Sequence, residues 1–348
     1  MDPTVLVRES TARVMPQAQH VHIDEAALER LADKLGHKLQ HDEQGIVTWD
    51  SGDFHYFEDV AQDGPLTCQY VFVMDALNFC FWPTDKYVSL PRPPAAPRCL
   101  LTHGDDMETV WSTNISLEDS RTHCSVILTP LTRTDLLPNE TVASWFAPFT
   151  PPQLDERRRK VQEVGQVLQY FFGGLALNLV KQANHSAVEV VRLILAYFPG
   201  FRDHAVYKGK HVHFYKRAQI LVGDVWAAYG RRSSGVASFH DIDKLTILDL
   251  TTSIADYRVP QVLRPEGVMV YSPALAELVD TKTEIPSGSE MESEIRAATI
   301  QAVERLHGRM VAKGHNIKVI ELDWLLWQIG EENKDALKPH HRTLSVYY

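Results

Sequence analysis

Leucine recurs at positions 28, 31, 35 and 39, a spacing that places all four side chains on one face of a helix over residues 24–39. Asp24 stands where an N-cap belongs, and Ile23 and Leu28 are placed as a hydrophobic staple. The same period predicts helices near 153–171, 184–198, 214–229 and 291–310; in the last, Ile295, Thr299, Val303, Leu306 and Met310 recur at helical spacing. The β-favouring pieces, 124–128 and the aromatic-rich 211–215, are short and scattered. No βαβ rhythm is visible, so the expected fold class is mainly α, with a few short β-strands. Segments 83–100 and 147–152 are proline-rich, and 280–294 is polar around Ser287, Gly288 and Ser289; all three read as loops or insertions. Without a repeat of roughly 20–50 residues or a shift in composition at these loops, residues 1–348 are expected to form one domain, at most two-lobed.

Composition narrows the partners. The chain has 348 residues, 44% of them hydrophobic, enough for a substantial core. Its formal net charge of -10 argues against a surface that tracks a phosphate backbone, so no stable nucleic-acid partner is expected and a small ligand fits better. Lys216 and Arg217 could still hold one phosphate, because a pocket reads its own few charges. Cys68, Cys80, Cys99 and Cys124 show no C-x-x-C spacing, and the start, MDPTVLVRES, carries charges early, which points to the cytoplasm with the nucleus left open. The longest apolar stretches are interrupted by Asp75, Asn78 and Asp224 and fall short of the roughly 20 residues that span a bilayer, so no membrane association is expected. Histidines are mostly scattered singles; His211 and His213 would oppose each other on a helix and share a face only on a strand, so no metal is expected. No phosphate-binding glycine loop, dinucleotide fingerprint or G-x-S-x-G elbow occurs, and no cofactor is expected.

Polar positions inside apolar stretches carry candidate chemistry. Asp75 and Asn78, three apart in VFVMDALNFCFW (71–82), would share a helix face near Phe79 and Trp82, as part of a core helix or of a pocket wall. In FYKRAQILVGDVW (214–226), Lys216, Arg217 and Asp224 suit either a phosphate pocket or an internal ion pair, and only one of the two adjacent cations is expected to face inward. Asp256 precedes Tyr257 and Arg258 in IADYRVPQVL (254–263), where Pro260 is expected to hold Val259 extended and so fix the turn that aims the acid. An ionised carboxylate there could stabilise an oxocarbenium-like ribose, attack it or orient water; a structural pair of Asp256 with Arg258 is the plain alternative. Asp323, in ELDWLLWQI (321–329), needs a hydrogen-bond partner or a shifted pKa, and a base edge could supply the partner while Trp324 or Trp327 stacks on the ring. His55, beside aromatics in DFHYFED, suits packing or a pocket.

These segments, with FFGG (171–174), FPGFRD (198–203), LDWLLW (322–327) and the ending HRTLSVYY, resemble in order and spacing the queuosine salvage family, the queuosine 5'-phosphate N-glycosylases. The likeness covers roughly residues 15–348, with 83–135 standing out as an elaboration. It implies a helical fold like that of DNA glycosylases, and hydrolysis of the N-glycosidic bond of queuosine 5'-phosphate, a free nucleotide, with release of queuine for tRNA modification. By the same resemblance Asp256 is the catalytic aspartate, while Asp323 binds the base and His55 lines its pocket. Ile254 and Ala255 stand where relatives place an aromatic before the Ala-Asp pair; Trp324 and Gln328 stand at positions of a tyrosine and an acid. With Tyr257, Lys216 and Arg217 they complete the expected substrate-binding set. Two other readings use the same residues: a carrier that binds queuine or its nucleotide without chemistry, and a DNA or RNA base-excision glycosylase, which the net charge disfavours. Because the apolar Tyr347 and Tyr348 suggest a docked end, a bulky C-terminal fusion should lower folding yield or activity; a fusion with full activity and an unchanged melting temperature would contradict this.

Overall fold

The computed structural model describes residues 1–41, 64–80, 82, 142–143, 151–245 and 257–347. They form eleven α-helices: α1 (Pro3–Val14), α2 (Glu25–His41), α3 (Pro65–Leu77), α4 (Leu154–Phe171), α5 (Ala176–Gln182), α6 (Ala187–Tyr197), α7 (Lys216–Ala228), α8 (Arg258–Leu263), α9 (Pro273–Asp280), α10 (Glu290–Ala312) and α11 (Val319–Glu332). The mainly helical expectation therefore holds, and the boundaries follow local chemistry. Asp24 accepts from the Ala27 N–H at 2.7 Å, and Ile23 and Leu28 are both buried beside it. Ser186, Ser272 and Ser289 cap α6, α9 and α10 in the same manner.

Four short strands pair antiparallel: β1 (Val21–Ile23) with β4 (Met269–Tyr271), and β2 (His204–Tyr207) with β3 (Lys210–His213). Lys208 and Gly209 both have positive φ between β2 and β3, the conformation that a two-residue hairpin turn demands and that glycine relieves. His211 and His213 thus share a strand face, with ring centroids 6.2 Å apart. Segment 124–128, the other expected strand, and the elaboration at 83–135 lie outside the described residues.

Burial divides into two apolar clusters. One gathers α3, α4, α5, α6 and α7. The other gathers α1, α2, both strand pairs, α9 and α10. α11 serves both: Ile320 and Trp324 enter the first cluster, Leu322, Leu325 and Leu326 the second. The start of α8 does the same, with Tyr257 in the first and Val259, Val262 and Leu263 in the second. α8 and α11 pack so closely that a Cβ on Gly330 would meet Val262 Cγ2 at 3.1 Å, which is why the helix carries glycine there.

Several charged groups inside these clusters are tied to backbone. Arg157 is fully buried and donates to the carbonyls of Leu77, Phe79 and Cys80 at 2.6–2.8 Å, and to that of Pro152 at 3.0 Å. Arg217 takes the carbonyls of Asp75 and Ala76 at 3.1 and 2.9 Å and that of Gly200 at 2.6 Å. Together they satisfy carbonyls at the C-terminus of α3, where the helix leaves acceptors unpaired and the dipole is negative. On the other side Glu294, buried on α10, accepts from the N–H groups of Gln19, His20 and Val21 and from the Tyr207 hydroxyl, fixing the lead into β1. Burial pushes the Cys80 thiol up to about 11, and Cys68 is likewise buried and free. Among the described residues no helix is long and apolar enough to cross a membrane.

Asp75 is fully buried on α3, and among the described residues neither carboxylate oxygen has a partner in good hydrogen-bond geometry. Burial raises its pKa to about 8, against the opposing pull of Asn78 and the Arg217 charge. An unfolded aspartate loses its proton near pH 4, so between about pH 4 and 8 the unfolded chain has released a proton that the folded protein keeps, and stability falls as pH rises through that window. Asp75→Asn, which cannot ionise, should show a flatter decline and be at least as stable as wild type at pH 8 in urea denaturation. Parallel profiles for the two proteins would show that Asp75 titrates normally.

A candidate active site between α8 and α11

α11 begins with the Lys318 N–H donating to the Glu321 carboxylate at 2.9 Å, and carries Asp323, Trp324, Trp327 and Gln328 within its next turns. Asp323 and Trp324 are fully buried. The Trp324 ring lies 6.2 Å from that of Trp226 on α7 at an interplanar angle of 18°, so its stacking partner within the protein is another indole. Trp327 is half-buried and packs on the first cluster, which makes it the more open of the two α11 indoles. Gln328 donates to Glu332 at 2.8 Å, one turn along the same helix.

The facing element is α8. Pro260 does not hold Val259 extended, as its position in the sequence suggested; Val259 is helical and Pro260 occupies the first turn of α8, where its missing N–H leaves no intrahelical bond unmade. Tyr257 stands at the N-cap, buried and stacked on the His340 ring with centroids 3.9 Å apart and planes at 17°. Burial holds His340 well below the ordinary histidine pKa, so the stacked ring is neutral at pH 7. Arg258 pairs with Glu331 on α11 and donates to Gln261 Oε1 at 3.0 Å, and Gln261 reaches the Lys338 carbonyl at 2.7 Å.

The chain after α11 binds this corner to the rest of the protein. The Ile285 N–H donates to the Arg342 carbonyl at 2.8 Å, Trp82 Nε1 to that of Thr343 at 3.3 Å, and Gln153 to that of Ser345 at 3.3 Å. His340, Glu331 and Trp226 carried no signal in the sequence, since nothing in a linear pattern links residue 226 to 324, 258 to 331 or 257 to 340.

The chain belongs to the queuosine salvage protein family. A model of that family matches residues 56–348. A relative from Dictyostelium discoideum, named queuosine 5'-phosphate N-glycosylase/hydrolase, is 40% identical over the full length of both chains. Relatives bearing the same name from Sphaerobacter thermophilus and Mus musculus are 36% identical, over 98% of this chain and 97% of the relative, and 29% identical over the full length of both.

Within this family member, the structure brings Tyr257, Asp323, Trp324 and Gln328 to the facing elements α8 and α11. His55, Ile254, Ala255 and Asp256 lie outside the described residues. Lys216 and Arg217 stand at the start of α7, and both are buried, contrary to the expectation that only one would face inward. The reason is that α7 is buried on every side, and that Arg217 spends its donors on the carbonyls of α3 and Gly200. The turn into α7 is held by Asp203, which accepts from the Lys216 N–H at 3.2 Å and from Arg296 at 2.9 and 2.6 Å. Among the described residues no group of histidines, cysteines or acids is arranged to hold a metal ion.

Arg217→Met would leave three buried carbonyls without their donor and should destabilise the fold by about 2–4 kcal/mol, read as a lower urea midpoint. An unchanged midpoint would mean that those carbonyls find other donors.

Proposed function

We propose that the chain hydrolyses the N-glycosidic bond of queuosine 5'-phosphate and releases queuine for salvage in the cytoplasm. The observation that carries this reading is the end-to-end likeness to relatives named for that activity, 40% identical in the first case. The packing of α8 against α11 supports it, since it joins the helix that carries the buried Asp323 to the element whose N-cap directly follows Asp256.

Cleavage leaves positive charge on the ribose as the base departs. A 7-deazapurine has carbon in place of N7, so protonating that position to improve the leaving group is closed, and charge stabilisation at the sugar must carry more of the barrier. Asp256 supplies the carboxylate beside C1', and Tyr257, clamped by His340, holds the backbone that follows it. Asp323 accepts from the N–H groups of the base edge, and His55, Ile254, Ala255, Trp324 and Gln328 complete its surroundings. Lys216 holds the 5'-phosphate and contributes remote binding energy, whereas Arg217, committed to carbonyls, contributes to the wall behind it.

The test is incubation of the protein with queuosine 5'-phosphate, the unphosphorylated nucleoside and guanosine 5'-phosphate in parallel, with free base followed by chromatography and mass detection. Release of queuine chiefly from the first is expected. Asp256→Asn should bind that nucleotide with near-normal affinity and lose at least about a hundredfold in turnover, the scale of losing a charge-stabilising group; Lys216→Met should raise KM for the nucleotide far more than for the nucleoside. Tight binding without release would favour a carrier, and normal turnover by a folded Asp256→Asn protein would remove that residue from the mechanism.

A further inference from the structure

The indole nitrogen of Trp327 is buried and meets no hydrogen-bond acceptor among the described residues. Leaving such a donor unpaired costs roughly 1–3 kcal/mol. Its surroundings suggest what pairs with it. Positions 323, 327 and 331 succeed one another at one-turn intervals on α11 and so lie along one strip of the helix. Glu331, at one end of the strip, pairs with Arg258, two residues beyond Asp256; Asp323, at the other end, is a fully buried acid. Trp327 lies between them and is itself half-buried.

A guanine-type base presents, side by side on one edge, a carbonyl oxygen that accepts and two nitrogens that donate. A carboxylate matches the two donors and leaves the carbonyl in need of a donor beside it. We infer that Trp327 donates its indole N–H to the carbonyl oxygen of the bound base, next to Asp323, and so reads the part of the edge that a carboxylate cannot. This assignment rests on the nucleotide N-glycosidase reading above. It makes Trp327 a specificity residue: a base with an amino group in place of the carbonyl would set donor against donor.

Trp327→Phe keeps most of the ring and removes the N–H. With queuosine 5'-phosphate the variant should show KM raised about 3–10-fold and kcat within about twofold, the signature of a neutral hydrogen bond present equally in ground and transition states. With an analogue whose base lacks the carbonyl oxygen, wild type and variant should have the same KM. A benzothienylalanine at position 327, a sulfur isostere of tryptophan without the N–H, should reproduce the KM change and serves if the phenylalanine variant folds poorly. Equal KM for wild type and isostere on queuosine 5'-phosphate would overturn the assignment, as would a penalty that persists on the carbonyl-free analogue, since that would mark a packing effect. If wild type releases no base from queuosine 5'-phosphate, the fault lies with the enzymatic reading itself; normal wild-type turnover beside an unaffected variant refutes only the role of Trp327.

Discussion

Two buried guanidinium groups at the C-terminal end of α3 organise the first apolar cluster. Arg157 comes from α4 and Arg217 from α7, and between them they take the carbonyls of Asp75, Ala76, Leu77, Phe79 and Cys80. Each also lies over the Phe79 ring, at 4.4 and 5.3 Å from its centroid. The result is a three-helix joint in which the negative end of one helix is met by cations from two others. It fixes where α7 can lie, and through the contact of Trp226 with Trp324 it constrains one side of α11. The cost is the desolvation of two cations, whose pKa values burial draws down to about 10, leaving both charged at neutral pH.

α11 is constrained from its other side by the second cluster, where Leu322, Leu325 and Leu326 pack, and at its end by the pairing of Glu331 with Arg258. A helix gripped in this way by two cores is a rigid platform, and α8, closely packed across Gly330, shares the rigidity. Outward support is weaker. Glu25, Glu29 and Asp33 on α2 meet Arg305 and Arg309 on α10 and Lys313 at its C-cap in a ladder of ion pairs, which is exposed and so adds little per pair, but keeps the register of the two helices. The acidic excess of the chain therefore does not mean an unpaired acidic surface on this face.

Much of this was legible in the sequence where the signal was local. The leucines of α2, the Asp24 cap and the stripe of α10 each state a period or a capping preference within a few residues, and the helices near 153–171, 184–198 and 214–229 form close to those bounds. Pro260 misled because a proline is as welcome in the first turn of a helix as it is disruptive later, and the choice depends on where the helix begins. The pair of cations at 216–217 misled for a different reason. Two adjacent charges can both be buried only if carbonyls from elsewhere in the chain meet one of them, and the Arg217 partners at 75, 76 and 200 lie far away in sequence. The stacking of His340 on Tyr257 and the pairing of Glu331 with Arg258 are of the same kind: products of tertiary packing that no linear spacing announces.

Two of the α11 residues expected at the base, Trp324 and Gln328, are held by neighbours within the fold. A tyrosine at 324 would bring a hydroxyl into a fully buried setting and require an acceptor for it. The indole present there lies instead against Trp226, and the two rings add apolar contact between α7 and α11. An acid at 328 would stand one turn from Glu332 and repel it, whereas Gln328 donates to that carboxylate and ties the turn. Trp324 and Gln328 thus each have a partner within the fold, one turn apart on α11 and beside the strip that carries Asp323 and Trp327.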